Sequence, residues 1–185
     1  MFITLSWDLL IIVFFAVIIA YSFIVGKEES VKIVVSSYVA AVAVQGFGNI
    51  LEKVLHSSQD ILLTLGFGSD LWWMSFVKLI LFVAAIVFLA IRAGFDVQYK
   101  PHTEGWQDIA LTGVIGFATA GLLVSTILTF IAGRPILDAH LMTAPTLAPL
   151  IVQSPLVWAL VEYQDLWFSL PAFLLLGVGF VSTRS

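Results

Sequence analysis

The apolar positions of this chain come in uninterrupted blocks long enough to cross a lipid bilayer. From Leu9 to Val25 there is no charge, and only Tyr21 and Ser22 are polar. From Ile109 to Ala132 charge is again absent, with Thr, Ser, Gly and Ala scattered among large apolar residues. A helix rises about 1.5 Å per residue and a bilayer's hydrocarbon core is about 30 Å thick, so roughly 20 such residues span it. The pattern predicts an integral membrane protein of the all-α class.

Four spans follow from the blocks and their breaks. The first runs from Trp7 to Val25 and ends at Gly26 with Lys27-Glu28-Glu29. Ser30 is then placed to cap a second helix, Val31 to Leu51, by accepting from a free backbone N–H. That helix is less apolar, with Ser36, Ser37, Ala40, Ala41, Ala43, Gln45, Gly46 and Gly48 among its Val and Ile. Small residues let helices approach closely, which places it inside a bundle. A polar stretch from Glu52 to Ser69 carries a Gly66-Phe67-Gly68 breaker, and a third span covers Leu71 to Ala93. Its Trp72-Trp73 pair resembles an interfacial aromatic belt. Arg92 and the segment from Asp96 to Gln107 mark the opposite face, where Pro101 forbids helix continuation. The fourth span, Asp108 to Ala132, closes at Gly133-Arg134-Pro135. Residues 1–134 thus read as a four-span transmembrane bundle.

Residues 135–185 read as a C-terminal membrane-associated helical region. Pro145, Pro149 and Pro155 break an otherwise apolar stretch from Leu141 to Val161. In lipid every backbone polar group must be paired, so such a segment is tolerated only against protein or water, or at the interface. Ser154-Pro155 is a helix start, a cap followed by Pro at the first position. Leu156, Val157, Leu160 and Val161 with Glu162 and Asp165 beyond fit an amphipathic helix on the membrane surface or re-entering partway. The run from Leu166 to Val181 holds Pro171, Gly177 and Gly179 and falls just under spanning length. It is either a fifth span, over 166–181, or a half-buried terminal helix, with Ser169 as its cap ahead of Pro171. The expected fold is a polytopic membrane helix bundle: four core transmembrane helices plus a Pro-broken, amphipathic or re-entrant C-terminal region.

Composition narrows the function. Of 185 residues 61% are hydrophobic and 11% charged, with mean hydropathy +1.08, against roughly a quarter charged in soluble domains. A net charge of −4 argues against a nucleic-acid surface, which needs clustered Lys and Arg. With no cysteine, disulfides, thiolate metal sites and thiol redox chemistry are excluded. The N-terminal block lacks the basic n-region and small-residue cleavage site of a secretory signal, and reads as a retained span. Lys and Arg in short loops stay cytoplasmic. Lys27, Lys32, Arg92 and Lys100 on one side outnumber Lys53, Lys78 and Arg134 on the other, which places the N-terminus outside. If the last run spans, Arg184 joins the inner side.

Few residues offer chemistry. Lys78 is the only charge clearly within a span, and an intramembrane charge is a functional-site candidate by default. It could form an ion pair or proton relay with Asp8, Asp70 or Asp108, or it snorkels to the headgroups. His56, His102 and His140 fall in three different polar segments without metal-ligand spacing. No G-x-S-x-G elbow, H-E-x-x-H helix or Walker loop occurs. No catalytic motif, metal site or cofactor site is expected. The fourth span is the most patterned. Gly113, Phe117, Gly121, Ser125 and Thr129 fall on one i+4 ridge, with Thr112, Gly116 and Ala120 beside it. This is a small-xxx-small packing face. It serves bundle packing, a dimer contact or a cavity lining, and Ser36, Ser37, Ala40 and Ala41 are the natural surface to meet it.

Two stretches carry a family resemblance. One is the hinge Tyr21-Ser22-Phe23-Ile24-Val25-Gly26-Lys27-Glu28-Glu29-Ser30-Val31. The other is the glycine-spaced helix Gln107-Asp108-Ile109-Ala110-Leu111-Thr112-Gly113-Val114-Ile115-Gly116-Phe117-Ala118-Thr119-Ala120-Gly121-Leu122-Leu123 after a polar loop. In these, and in a Pro- and Ser-bearing tail from Thr143 to Tyr163, the chain resembles the colicin V production protein (CvpA) family of small bacterial inner-membrane proteins. It departs where the family has Arg-Gly or Lys-Gly, since Val25 precedes Gly26 here. It also lacks the basic residue usual in the glycine-rich span. The resemblance implies a non-enzymatic inner-membrane protein that assists toxin production or export, or envelope homeostasis, as an oligomer or with other membrane proteins. A small channel or transporter is the alternative, built on the broken C-terminal segment.

Overall fold

A computed structural model describes residues 6–56, 72–92 and 106–182, and every regular element among them is helical. The long helices are α1 (Trp7–His56), α2 (Trp72–Arg92) and α3 (Trp106–Ile131). A 3-10 turn at Leu141–Thr143 leads to the short helices α4 (Ala148–Gln153) and α5 (Pro155–Glu162), and then to α6 (Gln164–Ser182). Three helices are long and apolar enough to cross a membrane, over Trp7–Leu51, Trp73–Arg92 and Ile109–Ile131. The Gly66-Phe67-Gly68 breaker, Asp70, Pro101 and His102, together with the side chains of His56, Trp72 and Asp108, lie outside the described residues.

The helical assignment of α1 runs through a sharp bend. Gly26 has φ 83° and ψ 176°, backbone angles that are essentially reserved for glycine. Ile11 shares an apolar cluster with Val124 and Leu128, while Ala40, Ala41 and Val44 share another with Leu123 and Phe130. In a straight helix residues 11 and 41 would stand about 45 Å apart, yet their α3 neighbours fall within two turns of each other. The arms 7–25 and 27–56 therefore fold back on one another at Gly26. Ser30, expected as the second helix's cap, lies inside the helix, and its hydroxyl donates to the Gly26 carbonyl at 2.8 Å. The break needs a positive φ, which only the glycine four residues earlier can supply. Gly26→Ala meets open space around its new methyl, so its cost isolates the backbone term. We expect a loss of about 1–3 kcal/mol, read by unfolding the purified protein in mixed micelles.

The most apolar window of α3 is 78% buried, against 11% for α1 and 17% for α2. α3 is therefore the axis and the other long helices wrap it. This follows from side-chain size: Gly, Ala, Ser and Thr along α3 let neighbours close in on several sides at once. The outer faces of α1 and α2 leave Ile12, Val17, Ile24, Val42, Phe76, Ile80, Phe88 and Ile91 exposed. So large an apolar surface has its natural solvent in lipid.

The C-terminal third is seated on this frame. Leu141, Ala144, Leu147, Val157, Leu160 and Val161 pack with Ile11, Val124 and Leu128 at one end of the bundle. α5 begins as the sequence predicts, with Ser154 Oγ accepting from Val157 N–H at 3.1 Å and Pro155 at the first position. α6 differs from expectation. It starts at Gln164, directly after Tyr163, and continues through Pro171. Ser169 is not a cap, since its hydroxyl donates within the helix to Leu166 O at 3.2 Å. Pro171 is tolerated because its ring is buried beside Val34, Ile115 and Ala118, which offsets part of the lost backbone bond. Gln164 bonds Thr129, Trp167 covers Gly121, and Pro171 reaches Ile115. α6 thus runs antiparallel along α3, and its 19 residues extend about 28 Å.

Candidate functional site

The small-residue face is buried, and its partners can be named. Ser36, Ser37, Ala40, Ala41, Gly116, Ala120 and Gly121 are buried, and Gly113 is half-buried. A carbon added at Gly116 would lie 2.8 Å from Ser22 Oγ, 2.9 Å from Ser22 Cβ and 3.3 Å from Ile19 Cα. At Gly113 it would meet the Phe23 ring at 3.2 Å, and at Gly121 it would enter the indole of Trp167. The glycines therefore receive the first arm of α1 and α6. Ala40 and Ala41 cluster instead with the large residues Phe82, Leu123 and Phe130, and Phe82 and Phe130 meet edge-on at 5.3 Å. The two alanines thus face large side chains that fill the space beside them, whereas Gly116 meets the small Ser22 and the Ile19 backbone, where the helices approach closely.

Most buried hydroxyls on this face bond to their own helix. Thr119, Thr126 and Thr129 donate to the carbonyls of Ile115, Leu122 and Ser125 at 2.7, 2.7 and 2.8 Å, and Ser37 to Ile33 at 2.7 Å. Others cross between elements. Gln164 Nε2 donates to Thr129 Oγ1 at 3.1 Å, and the Tyr38 hydroxyl donates to the Phe168 carbonyl. Both anchor the start of α6. Neither Gln164 nor Tyr38 was singled out from the sequence; the signal was a lone amide just ahead of a long apolar run. Ser36 Oγ, Ser125 Oγ and Trp167 Nε1 are buried without a partner among the described residues.

The three charged candidates have different surroundings. Asp8 lies at the start of the first arm, where its carboxylate accepts from the Ser154 hydroxyl and from Leu156 N–H at 3.2 Å. It caps α5 jointly with Ser154, at a helix end that favours negative charge. Lys78 is 3% exposed, and its side chain lies across Gly48 of the second arm. It is held inside the bundle and does not stretch along the lipid face, because Gly48 has no side chain to exclude it. Asp108 lies in the first turns of α3, at the end where Gly113 meets Phe23 close to the Gly26 hinge. That is the opposite end from Asp8. His140 is exposed on the connection after α3, where Arg134 and Asp138 pair at 3.7 Å.

Asp8→Ala removes a charged partner from the α5 start. The expected loss is about 1–2 kcal/mol, read by micellar unfolding. Ser154→Ala should cost a similar amount, and the double variant less than the sum, since both residues serve one cap.

Comparison with protein-family models, curated proteins and solved structures finds no match to this chain. The class is nonetheless defined by the fold: a helical membrane protein whose small-residue helix is its core.

Proposed function

We propose that the chain is a multi-pass inner-membrane protein of the CvpA-like type, non-enzymatic, which assists an envelope process such as toxin production or export, or envelope homeostasis. The hinge at Gly26 and the glycine-spaced α3 are the two stretches that resemble that family, and they also organise the bundle. Five crossings are proposed: the two arms of α1, then α2, α3 and α6. With α6 crossing, Lys27, Lys32, Arg92, Lys100 and Arg184 stand on the inner side against Lys53, Lys78 and Arg134 outside. The cap of short helices then covers the outer end, with Trp158 and Tyr163 in an edge-on aromatic pair at interfacial depth. Partner contacts, a second copy among them, fall to the outer faces of α1 and α2.

The observation that carries the reading is the use made of α3. Its glycines and the hydroxyls of Thr119, Thr126 and Thr129 are taken up by Ser22, Ile19, Phe23, Trp167, Gln164 and its own backbone, which suits a packing core. The transporter alternative draws on the broken helices at the outer end. A half-helix N-terminus in a transporter presents its positive end to substrate, and here that end of α5 holds Asp8. Liposomes containing the purified protein provide the test. Ion and small-solute flux should equal that of empty liposomes, and a saturable flux would replace the scaffold reading with the transporter.

A further inference from the structure

Beside the Gly26 hinge the two arms of α1, the last turns of α2 and the middle of α3 part to leave a cleft of about 310 Å³. Ile18, Ile86 and Leu123 form its walls, and Val87 and Ile91 stand exposed on its rim. Ser30 and Thr119 lie at its base, 1% and 2% exposed. Their hydroxyls already donate to Gly26 O and Ile115 O, at 2.8 and 2.7 Å. The base therefore asks little of water, and an apolar slot of this kind stays dry or takes hydrocarbon.

Among the described residues no charge lines the cleft, and the charges that adjoin its lining residues in sequence narrow the occupant. Arg92 follows the rim residue Ile91 and is exposed at the end of α2. Lys27 follows Gly26 at the hinge and is 9% exposed, and Lys32 holds Glu29 at 2.7 Å. A guanidinium matches a phosphate's oxygens in a two-bond fork, and basic pockets between helices at the cytoplasmic face suit anionic lipid headgroups. We propose that this cleft binds an anionic phospholipid, one acyl chain lying between the α1 arms and α2 and the headgroup phosphate held by Arg92. The proposal rests on the membrane reading above.

The test uses the full chain in mild detergent, with native mass spectrometry counting retained phosphatidylglycerol or phosphatidylcholine of identical acyl chains. The wild type should retain phosphatidylglycerol with about a fivefold preference, the effect of one basic residue near an anionic headgroup. Arg92→Gln should abolish the preference while leaving phosphatidylcholine retention unchanged. Ala90→Phe, in the cleft lining, should lower retention of both lipids with the helical circular dichroism intact. If that variant misfolds, Val87→Trp supplies the same reading. Equal retention of the two lipids by the wild type, a preference that survives Arg92→Gln, or wall variants that hold lipid normally would each overturn the proposal. Carbonate washing of membranes separates the two levels: a chain that stays in the membrane but shows no lipid preference defeats the cleft alone, whereas one that washes off defeats the membrane reading as well.

Discussion

Gly116→Ala should destabilise the bundle by about 1–3 kcal/mol, although it adds a single methyl to a helix. The methyl would sit 2.9 Å from Ser22 Cβ and 3.3 Å from the backbone of Ile19. Neither can rotate away, so the first arm and α3 must separate and lose their contacts on both sides. Gly177 is the control: nothing lies within 4 Å of an added carbon there, and Gly177→Ala should be neutral or gain up to about 1 kcal/mol from helix propensity. Ser22→Gly in the Gly116→Ala background should recover most of the loss by removing the nearer obstacle. Micellar unfolding of the four proteins reads all of this. Equal stability of the Gly116 and Gly177 variants would remove the close-approach argument.

Gly121→Leu should have the larger effect, about 3 kcal/mol or more, because the Trp167 indole occupies the position of the new side chain. Trp167 is fixed by Phe15 and Phe117, with ring centroids 5.9 and 5.5 Å away. Displacing it detaches the first third of α6 from the axis. Trp167→Ala alone should cost about 2–3 kcal/mol as the truncation of a half-buried aromatic. In that background Gly121→Leu should be nearly free, since the leucine enters the space the indole leaves. Ile127→Leu, a half-buried position on the same helix, should change little. If Gly121→Leu costs the same with and without Trp167, the indole is not what Gly121 accommodates.

The long apolar helices, the glycine break at 26 and the cap at Ser154 were legible because each depends on local composition or on one backbone rule. The small-residue character of α3 was legible for the same reason. Its partners were not. Sequence spacing shows where a helix is narrow, but which side chain enters the narrow place is settled by the arrangement of all neighbours, and Ser22 and Trp167 carry no local mark of that role. Asp8 and Ser154 are separated by most of the chain, and only the fold-back at Gly26 with the return of α3 brings them together. Lys78 was legible as an anomaly, while its burial against Gly48 depended on the register between α2 and the second arm. Ser30 was misread because a hydroxyl near a helix start can cap the helix or bond back to the preceding turn, and the positive φ at Gly26 decided between them.

The central claim is that five segments cross the membrane, with the Gly26 hinge, the connection after α2 and the C-terminus on one side. The chain has no cysteine, so single cysteines report without background. Asp60→Cys, Asp138→Cys, Lys100→Cys and Arg184→Cys should each be exposed to a membrane-impermeant thiol reagent in intact cells, then again after permeabilisation. The account predicts labelling at 60 and 138 in intact cells, and at 100 and 184 only after permeabilisation. Labelling of 184 together with 138 in intact cells would mean that α6 does not cross, and would contradict the five-span bundle.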